Sequence, residues 1–233
     1  MARTQRVDGI STELVDLYSV KPIQPLTPSH LAAWDLALGG VSPGIVRIFG
    51  NKSFELALAV AAADVERSRD DCLVAGCGRT PRELASASKT AGLDGPKVLL
   101  EPDRWDYVTH WIRSYQFRYV VAAGVDMLGG NRSSVKDLDA ACVEAGTVLF
   151  ACSEEPSQAS EWSYAIQAVR LIPPRRYHGS GIFEICVLKN PAATSLTSKS
   201  IVCVEIAPSG YVSRGLVQRD DAGPGVARVE SVG

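Results

Sequence analysis

Through the middle of the chain, short apolar runs alternate with longer amphipathic ones. Residues 45–60 read IVRIFGNKSFELALAV: an apolar run, Gly50, a polar turn, then an apolar stretch free of Gly and Pro. That pattern predicts a strand over 45–49 and a helix over 53–67. CLVA (72–75) predicts a second strand, and Thr80-Pro81-Arg82-Glu83 supplies a capping box with Pro at the first helical position. Gly92 is placed to close that helix. KVLL (97–100), RYVVAA (118–123) and TVLFAC (147–152) predict further strands. The helices expected between them are WDYVTHWIRS, capped by Asp103, and SVKDLDAACVEA, ended by Gly146. Upstream, Thr27 or Ser29 is expected to cap a short helix, LAAWDLAL, that stops at Gly39-Gly40. Short apolar strands separated by helices predict an α/β fold with a mostly parallel sheet covered on both faces.

After residue 160 the helices drop out. YAIQAVRLI, GIFEICVL and SIVCVEIA read as strands with no helix between them, and Pro208-Ser209-Gly210 as a turn. They predict an antiparallel extension at the C-terminal end of the same sheet. The expected organisation is an N-terminal arm or linker over 1–26, a core domain over 27–217 and a disordered tail over 218–233.

Composition adds limits. The 233 residues suffice for one sizeable α/β domain. A formal net charge of −2 argues against a broadly basic nucleic-acid binder but leaves room for a local basic strip. Six cysteines are scattered, mostly within apolar runs, without a CxxC pair, which reads as small buried thiols in a reducing compartment rather than a zinc site. No signal peptide and no membrane-length apolar stretch is evident, so a soluble cytoplasmic protein is expected.

Five stretches, in order, resemble the core of the RecA-type recombinases and their ATPase relatives. LTPSHLAAWDLALGGVSPGIVRIFG is similar to the family's lead-in and phosphate-loop strand. CLVAGCGRTPRELASASKTAGLDGPKVLLEP resembles the next strand, helix and strand, and FRYVVAAGVDMLGG the Walker B strand and its turn. VLFACSEEPS resembles the strand that carries a polar sensor, and GIFEICVLKNPAATS the lysine-asparagine hairpin. The resemblance spans about residues 24–215 and implies a RecA-like core.

The departures from that pattern matter more. The family's phosphate loop, GxxxxGK[ST], wraps a ring of backbone N–H groups around phosphates and places a hydroxyl on magnesium. Here Gly50-Asn51-Lys52-Ser53 is four residues long and lacks the second glycine. Ala123 stands where Walker B has its Asp, Gly76-Cys77-Gly78-Arg79 where a water-activating Glu is expected, and Cys152-Ser153 at the sensor. Lys189 matches a lysine that in the family reaches a neighbour's nucleotide, while Pro191 replaces a second one. Together these imply a pseudo-ATPase without a cofactor. Gly50, Lys52 and Ser53 are then a relic phosphate loop, with Lys52 either a residual anion contact or a solvent-facing lysine.

Among the non-ATPase relatives the profile resembles the division inhibitor SulA and, more nearly, the ImuA-type mutagenesis factors. For the latter the residues are the Pro-Gly lead-in, Gly-Leu-Asp after the second helix and Ser160-Glu161-Trp162. The resemblance implies an accessory of DNA recombination or repair in the SOS response to DNA damage. It would act by contact with a RecA-type recombinase, an error-prone polymerase or single-stranded DNA, as a homo- or hetero-oligomer. Arg170, Arg175 and Arg176 with Tyr177 form the best basic-aromatic cluster for phosphate contact, and Lys189 with Asn190 a further contact candidate; an exposed loop tip is the plainer reading. His30, His110 and His178 lie too far apart for a ligand motif, and Ser153-Glu154-Glu155 reads as a solvated loop before it reads as a metal site. Trp105, Tyr107, Trp111 and Tyr115 have the spacing of helix packing rather than of a base-stacking platform. An active NTPase with an unconventional loop and a scaffold unrelated to DNA stay open as rivals.

Overall fold

The structure is a computed structural model that describes residues 3–7, 10–14, 23–68, 72–93, 97–100, 104–125, 132–154, 164–173, 181–191, 202–213, 216–218 and 228–230. Its core elements are α1 (Ala32–Leu38), β3 (Gly44–Phe49), α2 (Ser53–Ser68), β4 (Cys72–Gly76), α3 (Pro81–Ala91) and β5 (Lys97–Leu100). They continue with α4 (Trp105–Tyr115), β6 (Tyr119–Ala123), α5 (Arg132–Ala145), β7 (Val148–Ser153), β8 (Gln167–Ile172), β9 (Ile182–Lys189) and β10 (Cys203–Glu205). β5, β4, β6, β7, β3 and β8 lie side by side in that order and run parallel. β9 and β10 join antiparallel beyond β8. The expected parallel sheet with an antiparallel extension is therefore present, but the extension begins one strand later than expected: β8, from YAIQAVRLI, runs parallel to β3, and only β9 and the strands after it run antiparallel.

β3 sits at the middle, between β7 and β8, and all of its residues are buried. One sheet face packs Val46, Ile48, Val121 and Phe150 against α1 and α2; the other packs Ile45, Val120 and Leu149 against α4 and α5. That two-sided burial is why the parallel strands are continuous apolar runs rather than alternating ones. Strand order reverses beside β3, and crevices at such reversals, outside the carboxyl ends of the strands, are where α/β sheets bind ligands.

Local signals explain most element ends. The Thr80 hydroxyl accepts from the Glu83 N–H while the Glu83 carboxylate accepts from the Thr80 N–H, so the expected capping box is formed. The α1 cap differs from expectation. Its N-cap is Leu31, without a side-chain bond, and the Asp35 carboxylate instead reaches back to the N–H groups of Ser29 and His30. The Ser29 hydroxyl accepts from Leu31 N–H, two residues on, and so organises the turn before the helix. The α4 N-cap is Arg104 rather than Asp103, which lies outside the described residues.

Further strands form at both chain ends. β1 (Arg3–Val7) and β2 (Ile10–Leu14) form a separate antiparallel pair, and the sequence between them, Asp8-Gly9, favours two-residue hairpin connections. Within the segment expected as a tail, β12 (Arg228–Glu230) pairs with β11 (Leu216–Gln218), which itself pairs with β10. In register, Val217 stands opposite Val229.

Candidate functional site: the crevice at the strand ends

The turn from β3 into α2 closes on itself. Ser53 N–H donates to Gly50 carbonyl at 3.1 Å, and Leu56 N–H to Lys52 carbonyl at 3.1 Å. Gly50 N–H donates to Ser153 carbonyl at 2.9 Å, and the Ser53 hydroxyl donates to the same oxygen at 3.2 Å. The Lys52 ammonium lies 3.2 Å from Glu55 Oε1 in the first turn of α2. Gly50 has φ +107, and a Cβ built on it would come within 2.6 Å of the Leu171 carbonyl oxygen of β8. The N–H groups of Gly50, Ser53 and Leu56 and the Ser53 hydroxyl are thus engaged within the protein, and β8 backbone occupies the space against the glycine.

Beside this turn the ends of β4, β6 and β7 leave a cleft of about 620 Å³. Ser53, Cys77, Ala123, Cys152 and Ser153 are its buried groups, and Gly78, Arg79, Glu83, Gly124 and Glu154 form its more exposed wall. Burial pushes the Cys77 thiol up to about 11, and burial likewise raises Cys152, so both thiols are neutral at physiological pH. The half-buried Arg79 guanidinium lies over the Phe54 ring, 4.6 Å from its centroid. Glu83 faces its own cap: the Thr80 N–H and hydroxyl bonds hold its carboxyl below the usual glutamate range.

The other expected contact residues separate. Asn190 donates to the Leu38 carbonyl at 2.8 Å and accepts from Gln167 Nε2 at 3.3 Å, so it fastens the C-terminal end of α1 to β8. Lys189 acts electrostatically on Asp139 of α5, whose carboxyl burial nevertheless raises. Arg170 is exposed on β8, opposite Cys186 of β9. Arg175, Arg176 and Tyr177 lie outside the described residues, as do His178, Glu155 and Ser160-Glu161-Trp162. On α4, Trp105 is buried; Trp111 stacks on Tyr115 at 4.8 Å, and Tyr115 in turn on Phe117 at 5.9 Å, so these rings pack on one another.

Two clusters escaped the sequence reading. Arg47 is fully buried in β3, over the Phe49 ring at 4.7 Å, with Nη1 3.5 Å from the Ala151 carbonyl oxygen. Its register neighbours are Ala151 and Ala168, small enough to leave it room. Toward the far end of α2, Asp64 accepts from the Tyr119 hydroxyl at 2.7 Å and lies 3.5 Å from both His30 Nε2 and Arg118 Nε. That cluster ties the segment before α1 to α2 and β6. Among the described residues no three or more metal-ligating side chains gather, and no helix is long and apolar enough to cross a membrane.

No protein-family model matches the chain, and no curated protein matches its sequence.

Proposed function

We propose that the chain is a RecA-like domain that has given up nucleotide turnover and acts by contact, as an accessory of DNA recombination or repair that binds a RecA-type recombinase or an error-prone polymerase. The observation that carries this reading is the closed turn at Gly50–Ser53. Its Ser53 N–H and hydroxyl are bonded to backbone carbonyls, and its lysine is paired with Glu55. The surroundings support it. β3 holds the central place beside a strand-order reversal, yet Ala123, Cys152 and Arg79 stand around the crevice in place of metal-binding and water-activating carboxylates. A sheet covered on both faces keeps its surfaces available for docking after the chemistry is lost.

The test has two arms. Calorimetric titration of the full chain with ATP and magnesium is expected to give no heat of binding at millimolar nucleotide. Binding that weakens in Lys52→Ala would favour an NTPase with an unconventional loop instead. Mixing the purified chain with the host's recombinase, and separately with its error-prone polymerase, is expected to give co-elution with one of them. Co-elution with neither would remove the accessory role and favour a scaffold unrelated to DNA.

A further inference from the structure

We infer that the crevice at the ends of β4, β6 and β7 is a docking pocket for an acidic side chain of a protein partner, with Arg79 as its anchor. This rests on the reading above only in that the partner is a protein. Arg79 leaves the end of β4 and lies over Phe54, which is itself buried at the start of α2. The ring holds the guanidinium plane in place and takes none of its N–H donors. Among the described residues those donors make neither a hydrogen bond nor an ion pair. A planar fork of donors, half-buried and oriented, fits a carboxylate bidentately.

The rest of the crevice favours that occupant. Its floor is small and uncharged: Ala123, Ser153 and the neutral thiols of Cys77 and Cys152. It therefore adds no negative charge beneath an incoming carboxylate and leaves room for the methylenes of an Asp or Glu side chain. Glu83, the nearest acid along the chain, is bonded to the Thr80 cap and only secondarily feels the Arg79 charge, and Glu154 stands exposed. About 620 Å³ leaves room for one or two side chains of a partner. A partially desolvated guanidinium is also the type of group that dominates binding energy at protein interfaces.

The experiment is a random-peptide display selection against the full chain, followed by titration of the selected peptide. Peptides with Asp or Glu at one fixed position are expected, and Arg79→Gln should raise their Kd about tenfold or more. Arg79→Lys keeps the charge without the fork and should fall between. Arg79→Glu, run through the same selection, should exchange the acidic position for Lys or Arg. Equal melting temperatures of the variants would assign these changes to the pocket rather than to folding. A selection without an acidic position, or unchanged binding by Arg79→Gln, overturns the inference. Inorganic phosphate that binds tighter than the peptide and displaces it would also overturn it, making the crevice a phosphate site. Failure to co-elute with recombinase or polymerase leaves the peptide result standing, so the two readings fail separately.

Discussion

Replacing Gly50 by alanine tests the closed turn directly. At φ +107 a side chain is strained whatever surrounds it, at a cost of about 1–3 kcal/mol. Space adds to that. The new Cβ would stand 2.6 Å from the Leu171 carbonyl oxygen, where carbon and oxygen ordinarily keep at least about 3.3 Å. The obstacle is backbone of a buried strand, paired to β3 on one side and β9 on the other, and cannot rotate away as a side chain would. Forcing such a contact costs a further amount of about 1–3 kcal/mol. Stiffening the unfolded chain returns about 0.4–1 kcal/mol. The net loss is about 1–5 kcal/mol.

Gly92→Ala is the matched control. Gly92 also has positive φ, +86, but a Cβ there meets nothing within 4 Å, so only the strain of about 1–2 kcal/mol applies. Urea denaturation followed by circular dichroism measures both. A loss of about 3 kcal/mol in Gly50→Ala should lower Tm by about 6–12 °C for a chain of this length. If Gly50→Ala costs no more than Gly92→Ala, β8 does not press on the turn, and the space that a phosphate cradle needs is open after all.

Other outcomes follow from the same geometry. Asn190→Ala removes the 2.8 Å bond to the Leu38 carbonyl and should cost about 1–3 kcal/mol in urea denaturation. Because Asn190 is a fastening within the chain, the same variant at full folding should leave partner association unchanged, and a selective loss of association would refute that. Glu83 has a folded pKa below its unfolded one, so its contribution is full above the ordinary glutamate range and disappears as pH falls through the folded value. Wild type should therefore exceed Glu83→Gln in stability at neutral pH and converge with it in acid; a gap constant with pH would deny the cap its charge. Asp139 has the opposite sign: with its folded pKa raised by burial, stability falls as pH rises from the ordinary aspartate value through the folded one. Asp139→Asn should remove that fall, as measured by denaturant midpoints across the acid range.

The helices and central strands were legible because their signals are local. A buried parallel strand needs an apolar run, and a capped helix needs Thr80, Pro81 and Glu83 at fixed spacing. Lateral strand order was not legible: β3 and β7 read alike yet only β3 occupies the centre, and β8, read with the antiparallel extension, pairs parallel with β3. Arg47 shows the limit. An arginine within IVRIF carries no sign of burial by itself; the sign is the pair of alanines beside it on β7 and β8, which register alone brings together. The Lys52–Glu55 pair was within reach, because a residue just before a helix lies close to the side chains of its first turn. Arg79 over Phe54 was not, because it joins the end of one strand to the helix that follows another.

The lysine-asparagine hairpin posed a choice between an outward contact and an internal fastening, and hydrogen-bond accounting favours fastening for Asn190. The last carbonyls of a helix have no partner within it and need donors from elsewhere. At the end of α1 the Gly40 carbonyl receives Trp34 Nε1 at 3.2 Å and Gln167 Nε2 at 3.1 Å, while the Leu38 carbonyl receives Asn190 Nδ2 at 2.8 Å. Gln167 and Asn190 come from β8 and from just past β9, far along the chain, so the short α1 is completed only once the antiparallel extension is in place. The same donors cannot also face a partner. Buried polar groups must find partners before they are free for recognition, and by that criterion Lys52, Ser53 and Asn190 are occupied while the Arg79 fork is available.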